Sequence, residues 1–334
     1  MTQIGIIGQG FVGNAIKEAF KDKFKVLTYD KYISSKSNAT LEEIVDQCEI
    51  IFSCVPTPMN AQTGEASIHI VLDAIQDIDT IASKLGKKPT VIIKSTVPIG
   101  TTSEIDNNTD NCNVVFSPEF LTEANAVNDF KNQNRIVLGI NHNSYDKKVP
   151  QYISNVKDIF EEIFMDKAQI IITGAPIAEM VKYVTNTFLA TKVSFANEIY
   201  KITEAIGINY NEVAEITKLD KRLGDSHWMV PGPDGDFGFG GSCFPKDLQA
   251  LRFIANQFEV DTKILDATLS TNDEVRNNRD WEAQEGRAIV NFNNETNSIE
   301  DNKRTKLSPI VILFGFQIII VTYIIYSVIK HILN

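Results

Sequence analysis

The 334-residue chain is poor in the residues that make the simplest functional signatures. Its four cysteines, Cys48, Cys54, Cys112 and Cys243, are too scattered to form a C-x-x-C pair or a disulfide framework. The opening "MTQIGIIGQG" has no basic start and runs straight into a strand pattern, so no signal peptide is expected. Free thiols in a reducing, cytoplasmic setting follow as the expectation. The four histidines, His69, His142, His227 and His331, stand alone without zinc-site spacing, and no metal is expected. There is no long basic run, and the net charge is −11. That argues against a nucleic-acid partner. It also means that an anionic ligand has to be met by local Lys or Arg against the overall field.

The chain does have length and apolar content enough for two ordinary domains. Its first thirty residues carry the clearest pattern. "IGIIG" reads as an apolar strand, "GQGFVGNAIKEAF" as a glycine turn opening a helix, and "KVLTYD" as a second strand ending in Asp30. Gly8, Gly10 and Gly13 form G-x-G-x-x-G: the first permits the turn, the second admits a pyrophosphate to the backbone, and the third brings helix and strand together. The helix N-terminus, with Phe11 and Val12, then offers N–H groups and a positive dipole end to phosphate. Asp30 is placed to accept from both ribose hydroxyls and to repel a 2′-phosphate, which favours NAD over NADP.

Further strand-like runs, "EIIFSCV", "TVIIKS" and "NVVFS", alternate with helical patterns. Alternation of this kind predicts a Rossmann-like, doubly wound parallel sheet over residues 1–175. Polar residues gather where each strand ends: Thr57, Ser95 and Thr96, Glu119 and Glu123. Ligands bind at such carboxyl ends, although turns and caps also use these residue types. From Pro176 the period becomes helical for about thirty residues before Gly207, and more helices follow. A mostly helical second domain is therefore expected over 176–290, with the long helix as connector and dimer face. Lys182 and Asn186 share one face of it. After a linker at 291–308, "IVILFGFQIIIVTYIIYSVI" (310–329) carries no charge. Twenty helical residues rise about 30 Å, enough to cross a bilayer. Lys303, Arg304 and Lys306 precede the run, so a tail helix over 309–330 anchoring the chain to the cytoplasmic face of a membrane is expected.

Residues 238–247 read "GFGGSCFPKD". Alone, this is either a tight turn around a buried cysteine or a nucleophile whose thiolate is favoured by a neighbouring cation. Taken with "GIIGQGFVG", "CVPTP", "KSTVP", "SPEFLTE", "KYVTN" and "RLG", in that order, it resembles the UDP-glucose/GDP-mannose dehydrogenase family. Within that family the likeness is to the members that oxidise UDP-glucose. It extends over residues 1 to about 290.

The resemblance implies an enzyme that takes the C6 alcohol of a nucleotide sugar to the uronate in two NAD-dependent steps. UDP-glucose to UDP-glucuronate is the first expectation; GDP-mannose and a UDP-N-acetylhexosamine are the alternatives. It implies Cys243 as nucleophile, and Lys182 and Asn186 as holders of the C6 oxygen. Asp247 and Thr96 would orient water, and Glu119 would assist thioester hydrolysis. Val55, Pro56, Thr57, Ser95, Thr96, Glu123 and Lys246 would line the cofactor. Glu119, Phe120, Leu121, Lys182, Asn186, Phe239 and Gly240 would contact substrate, and Arg222 would reach across a homodimer to the partner's site. Two departures stand out. The family continues into a third domain that grips the nucleotide, and about forty residues follow position 290 here. The segment "GDSHWMVPGPDGDF" also looks longer than usual. A membrane-tethered nucleotide-sugar binding protein without turnover is the reading from a different class.

Overall fold

A computed structural model describes residues 2–141 and 149–291. The chain begins with β1 (Gln3–Ile7), α1 (Phe11–Phe20) and β2 (Lys25–Tyr29), the strand–helix–strand unit expected from the glycine pattern. Then come α2 (Leu41–Gln47), β3 (Ile50–Ser53), a short β4 (Met59–Asn60), α3 (His69–Leu85), β5 (Thr90–Ile93), α4 (Thr101–Asn107) and β6 (Asn113–Phe116). After α5 (Ala126–Lys131), β7 (Arg135–Ile140), α6 (Gln151–Phe164) and β8 (Gln169–Gly174) complete a seven-stranded sheet ordered β2-β1-β3-β5-β6-β7-β8.

The strands are apolar throughout because both faces are covered. Successive residues point to opposite faces. Ile4, Ile6, Phe52, Ile92 and Val115 join one core, with Phe20 of α1 and Phe160 of α6. Ile7, Ile51, Val91, Ile93 and Val114 join the other, with Ile44 of α2 and Ile75 of α3. Phe20, Phe52 and Phe160 meet edge-on, with centroids 5.5–6.1 Å apart. Burial of each such ring contributes roughly 1.5–3 kcal/mol.

One feature differs from the all-parallel expectation: β6 and β7 run antiparallel, meeting at Phe116 and Gly139. The chain enters β7 from the same edge of the sheet at which β6 ended, and β8 follows parallel to β7.

From β8 the chain enters α7 (Ala175–Ile206), opened by Gly174 with Pro176 in its first turn and closed by Gly207 at φ +73°. α7 first lies on the sheet, where a Cβ on Gly139 would come within 2.7 Å of the Ala178 Cβ. It then packs against α8 (Tyr210–Thr217), α9 (Phe244–Gln257) and α10 (Lys263–Val275). The part after the sheet is helical as expected, with one addition. β9 (Ile289–Val290) returns to pair with β4, a two-residue contact too short to leave a periodic signal. The apolar run 310–329 and all but the first residue of the expected linker lie outside the described residues. Among the described residues, no helix is long and apolar enough to cross a membrane.

Two glycines of the first turn separate fold from ligand approach. A Cβ on Gly13 would sit 2.0 Å from the Gly8 carbonyl oxygen, whereas one on Gly10 would meet nothing within 4 Å. Gly13→Ala should therefore cost about 2 kcal/mol or more in urea unfolding. Gly10→Ala should unfold within about 0.5 kcal/mol of the parent and lose dinucleotide affinity instead.

Candidate active site

A continuous cleft of about 480 Å³ runs along the carboxyl ends of β1, β3, β5 and β6 and is closed by α7 and the start of α9. Its volume suits a small-molecule site. At one end Gly8, Gly10, Phe11 and Val12 form the turn into α1, whose N-cap, Gly10, offers no side chain to the helix N–H groups. Asp30 lines the same end, accepting from the Gln9 N–H at 2.8 Å and from the Tyr32 and Ile33 N–H groups at 3.0 and 2.9 Å. Burial raises its pKa, but these bonds and the Lys36 charge outweigh burial and hold the carboxyl below its ordinary value. A permanent anion beside open space over Gly10 fits a dinucleotide with free ribose hydroxyls. Val55, Pro56 and Thr57 line the next stretch, and the Ser95 hydroxyl ties to the Val55 carbonyl at 2.5 Å. Thr96, Leu121 and Glu123 complete this side.

Deeper in, charge is concentrated. Lys94 Nζ lies 3.0 Å from Glu119 Oε2 and donates to Ser117 Oγ at 3.2 Å. Lys246 Nζ donates to Asp247 Oδ1 at 2.5 Å. Lys182, on α7, donates to the Glu119 carbonyl and, at 3.3 Å, to Asn186 Oδ1. Asn186 Nδ2 in turn donates to Asp247 Oδ2 at 2.6 Å. All five charged side chains are buried. Three ammonium groups thus face two carboxylates, and Lys182 is the one without a carboxylate of its own. Burial pushes its pKa down, while Asp247, Cys243 and Glu119 nearby favour the charged form. The surplus positive charge is an attraction for an anion in a chain that is otherwise acidic.

Cys243 sits where that surplus is felt, lining the cleft at the N-cap of α9. Cys48, Cys54 and Cys112 are pushed up to about 12, in each case chiefly by burial. They are inert packing thiols at neutral pH. The glycines before Cys243 serve packing. The Phe239 N–H donates to Asn272 Oδ1 at 2.7 Å and the Gly241 N–H to Asp280 Oδ2 at 2.9 Å. A Cβ on Gly240 would meet the Arg276 guanidinium at 2.2 Å. Arg276, 3% exposed, also bonds Asp234 at 2.8 Å and Asp280 at 3.1 Å, tying the longer loop to the cysteine turn.

Not every expected residue faces the cleft. Gly13 is behind the turn, and Asn186 and Asp247 stand behind Lys182. The Phe239 side chain is buried with Ala190 and Leu248. The Phe120 ring stacks under Arg135 at 4.2 Å. Arg222 is on the surface, paired with Asp220. Sequence reasoning missed Lys94, although a lysine closing the apolar run "TVII" was a signal. It also missed Glu179, one turn before Lys182, and Arg287, which lines the cleft from near the end of the described residues.

A family profile described as the NAD binding domain of the UDP-glucose/GDP-mannose dehydrogenase family matches residues 25–164, and one for that family's central domain matches 177–274. The chain belongs to this family. Residues of both matched spans line the cleft just described, with the glycine turn preceding the first span. It is 36% identical over 260 residues to a UDP-glucose 6-dehydrogenase of Rickettsia bellii, an alignment covering 73% of this chain and 55% of that protein. With the UDP-glucose 6-dehydrogenase TuaD of Bacillus subtilis the identity is 37%, over 68% of this chain and 47% of the relative. The chain thus spans about half to three-fifths of the length of these curated relatives. A solved UDP-glucose dehydrogenase from Pyrobaculum islandicum superposes with a TM-score of 0.70 at 28% identity, covering 82% of this chain and 68% of that one.

Glu179 ties the two halves of the site together. It is fully buried and accepts from the Gly100 N–H at 2.5 Å and the Thr102 N–H at 2.9 Å, fixing the loop after Thr96 to α7. Burial pushes its carboxyl up to about 7, against the pull of those bonds. The folded pKa is raised, so the contribution to stability is full below about pH 4.3 and is lost as the pH rises to about 7. Glu179→Gln removes this titration. The difference in unfolding free energy between wild type and Glu179→Gln should therefore move against the wild type by roughly 3 kcal/mol over that range, read from urea melts at stepped pH.

Proposed function

We propose that this chain oxidises the C6 alcohol of a nucleotide sugar to the carboxylate in an NAD-dependent, four-electron reaction, with UDP-glucose as first substrate. The observation that carries the reading is the surplus buried ammonium of Lys182 near Cys243, a thiol that lines the cleft at the start of α9. NAD⁺, when bound, accepts one hydride from C6 per molecule. The chain's residues handle the rest. As the first hydride leaves, the C6 hydroxyl gives up its proton, and Lys182, positioned by Asn186, stabilises the oxygen. The Cys243 thiolate then adds to the aldehyde carbon. A C–S bond forms, the carbonyl pair moves to oxygen, and a proton makes the thiohemiacetal. Loss of a second hydride and the hydroxyl proton gives the thioester. Water, oriented by Thr96 and Glu119 where they line the cleft, attacks it, while Asp247 acts from behind by holding Asn186 and Lys246. The C–S bond breaks and the thiol and carboxylate are released. The balance is one alcohol, two NAD⁺ and one water to one carboxylate, two NADH and three protons.

The division into a sheet unit to residue 175 and a helical unit from 176 belongs to the same reading, as does a homodimer through α7. Ile177, Val184, Phe188, Phe195, Ile202 and Ile206 are 49–67% exposed along one side of that helix. An apolar stripe of this length marks an interface, and a two-fold axis lets the same stripe cover itself. Exposed Arg222 lies in the loop that Lys192 of α7 holds at the Leu223 and Gly224 carbonyls, and would serve the partner's site. Phe188→Asp should convert a dimer to monomer in light scattering, while Ser at that position should not. Membrane attachment through 310–329 rests on its length and composition alone; cell fractionation of the full chain tests it, and recovery without detergent counts against it.

The chemistry is tested by counting NADH per sugar over a panel of UDP-glucose, GDP-mannose and UDP-N-acetylhexosamines. Cys243→Ser should lower four-electron turnover by about 10³ or more while leaving dinucleotide affinity intact. Lys182→Ala should slow both oxidations by about 10²–10³. Two NADH per sugar at the wild-type rate in Cys243→Ser would remove the thiol from the reaction.

A further inference from the structure

Beyond the matched central domain, which ends at residue 274, the chain returns to the first half of the molecule. Met59 donates its N–H to the Ala288 carbonyl at 2.9 Å, and Ala61 donates to Val290 at 3.1 Å. Trp281, Ala288, Ile289 and Met59 bury together beneath this pairing. The backbone around residue 287 is fixed by these contacts, and the side chain of Arg287 extends from it into the cleft. Its guanidinium carbon lies 5.3 Å from the ring centroid of Phe11, the first residue of α1, and the group pairs with Glu123.

The cleft's other cations are engaged. Lys94 and Lys246 are buried against carboxylates, Lys182 belongs to the chemistry, and Lys36 donates to the Gln9 carbonyl at 2.9 Å. Arg287 differs. Its side chain is 43% exposed and that of Glu123 49%, so water weakens the pair and a stronger anion displaces it. It also stands beside a helix N-terminus that has no side-chain cap and no acid in its first turn. A pyrophosphate over Gly10 would meet N–H groups from one side and a planar, bidentate donor from the other.

We propose that Arg287 is the cation that binds the dinucleotide's pyrophosphate, presented by the strap of residues 280–290 that closes over the first glycine turn. This rests on the assignment of the cleft to a dinucleotide. In the resting site Glu123 holds the guanidinium over Phe11; the incoming diphosphate takes its place.

The test is calorimetric titration of the full chain with ADP-ribose, which carries the pyrophosphate, and with adenosine, which does not. Arg287→Ala should weaken ADP-ribose by about tenfold or more and leave adenosine within twofold, with Arg287→Lys in between. Equal affinity of wild type and Arg287→Ala for ADP-ribose overturns the proposal, and so does an equal loss for both ligands. If Arg287→Ala melts early, Arg287→Gln against Arg287→Lys gives the same comparison at near-native length. A wild-type chain that binds neither ligand would sink the dinucleotide assignment itself, a result distinct from failure of Arg287 alone.

Discussion

The Lys182 ammonium is buried at the join between sheet and helices, and its partners are a backbone carbonyl and an amide oxygen. The two nearest carboxylates are each held by another lysine. A charge in that position is costly unless something compensates it. Here the compensation comes from oriented dipoles and from Asp247 and Cys243 at short range. The site is therefore left wanting negative charge at one place, beside the thiol. In the proposed reaction the thiolate, the alkoxide and the oxyanion of thioester hydrolysis would all form there.

Such a site works only if α7 holds still relative to the strand ends, and the sequence shows how that is arranged. Glu179, Lys182 and Asn186 follow one another along one face of the helix. Each reaches a different element: the loop before α4, the loop after β6, and the first turn of α9. A movement of α7 would break all three connections at once. Close contact at Gly139 and Ala178 removes the remaining slack, since no side chain intervenes between helix and strand. The 32-residue length of α7 then carries the same rigid body outward to the exposed apolar stripe. A dimer contact on that stripe would bear directly on the position of Lys182.

Local chemistry was legible in the sequence; contacts between distant segments were not. The first strand–turn–helix unit follows from Gly8, Gly10 and Gly13 because each answers a steric demand made within a few residues. Helix α7 was legible for a similar reason, its period being long and both ends being marked by Pro176 and Gly207. The antiparallel turn at β7 was hidden, because no residue preference marks the edge from which a strand is entered. Phe239 and Gly240 were placed by resemblance at the substrate, whereas their surroundings are Leu248 and Arg276. Nothing near them in the chain announces Arg276, which lies more than thirty residues on.

The same long-range logic explains why the cysteine turn is rich in glycine. Asn272, Arg276 and Asp280 approach it from α10 and the segment beyond, and their polar ends occupy the space where side chains would be. The turn's N–H groups are thereby satisfied from behind, which frees it from needing water or a helix to do so. Arg276 links the turn to Asp234 in the longer loop, and Asp280 begins the strap that leads to Arg287. The thiol, the loop and the strap over the glycine turn are thus fastened to one buried guanidinium. Loss of that guanidinium would strand Asp234 and Asp280 beside each other without a counter-charge, and both the cysteine turn and the strap would loosen together.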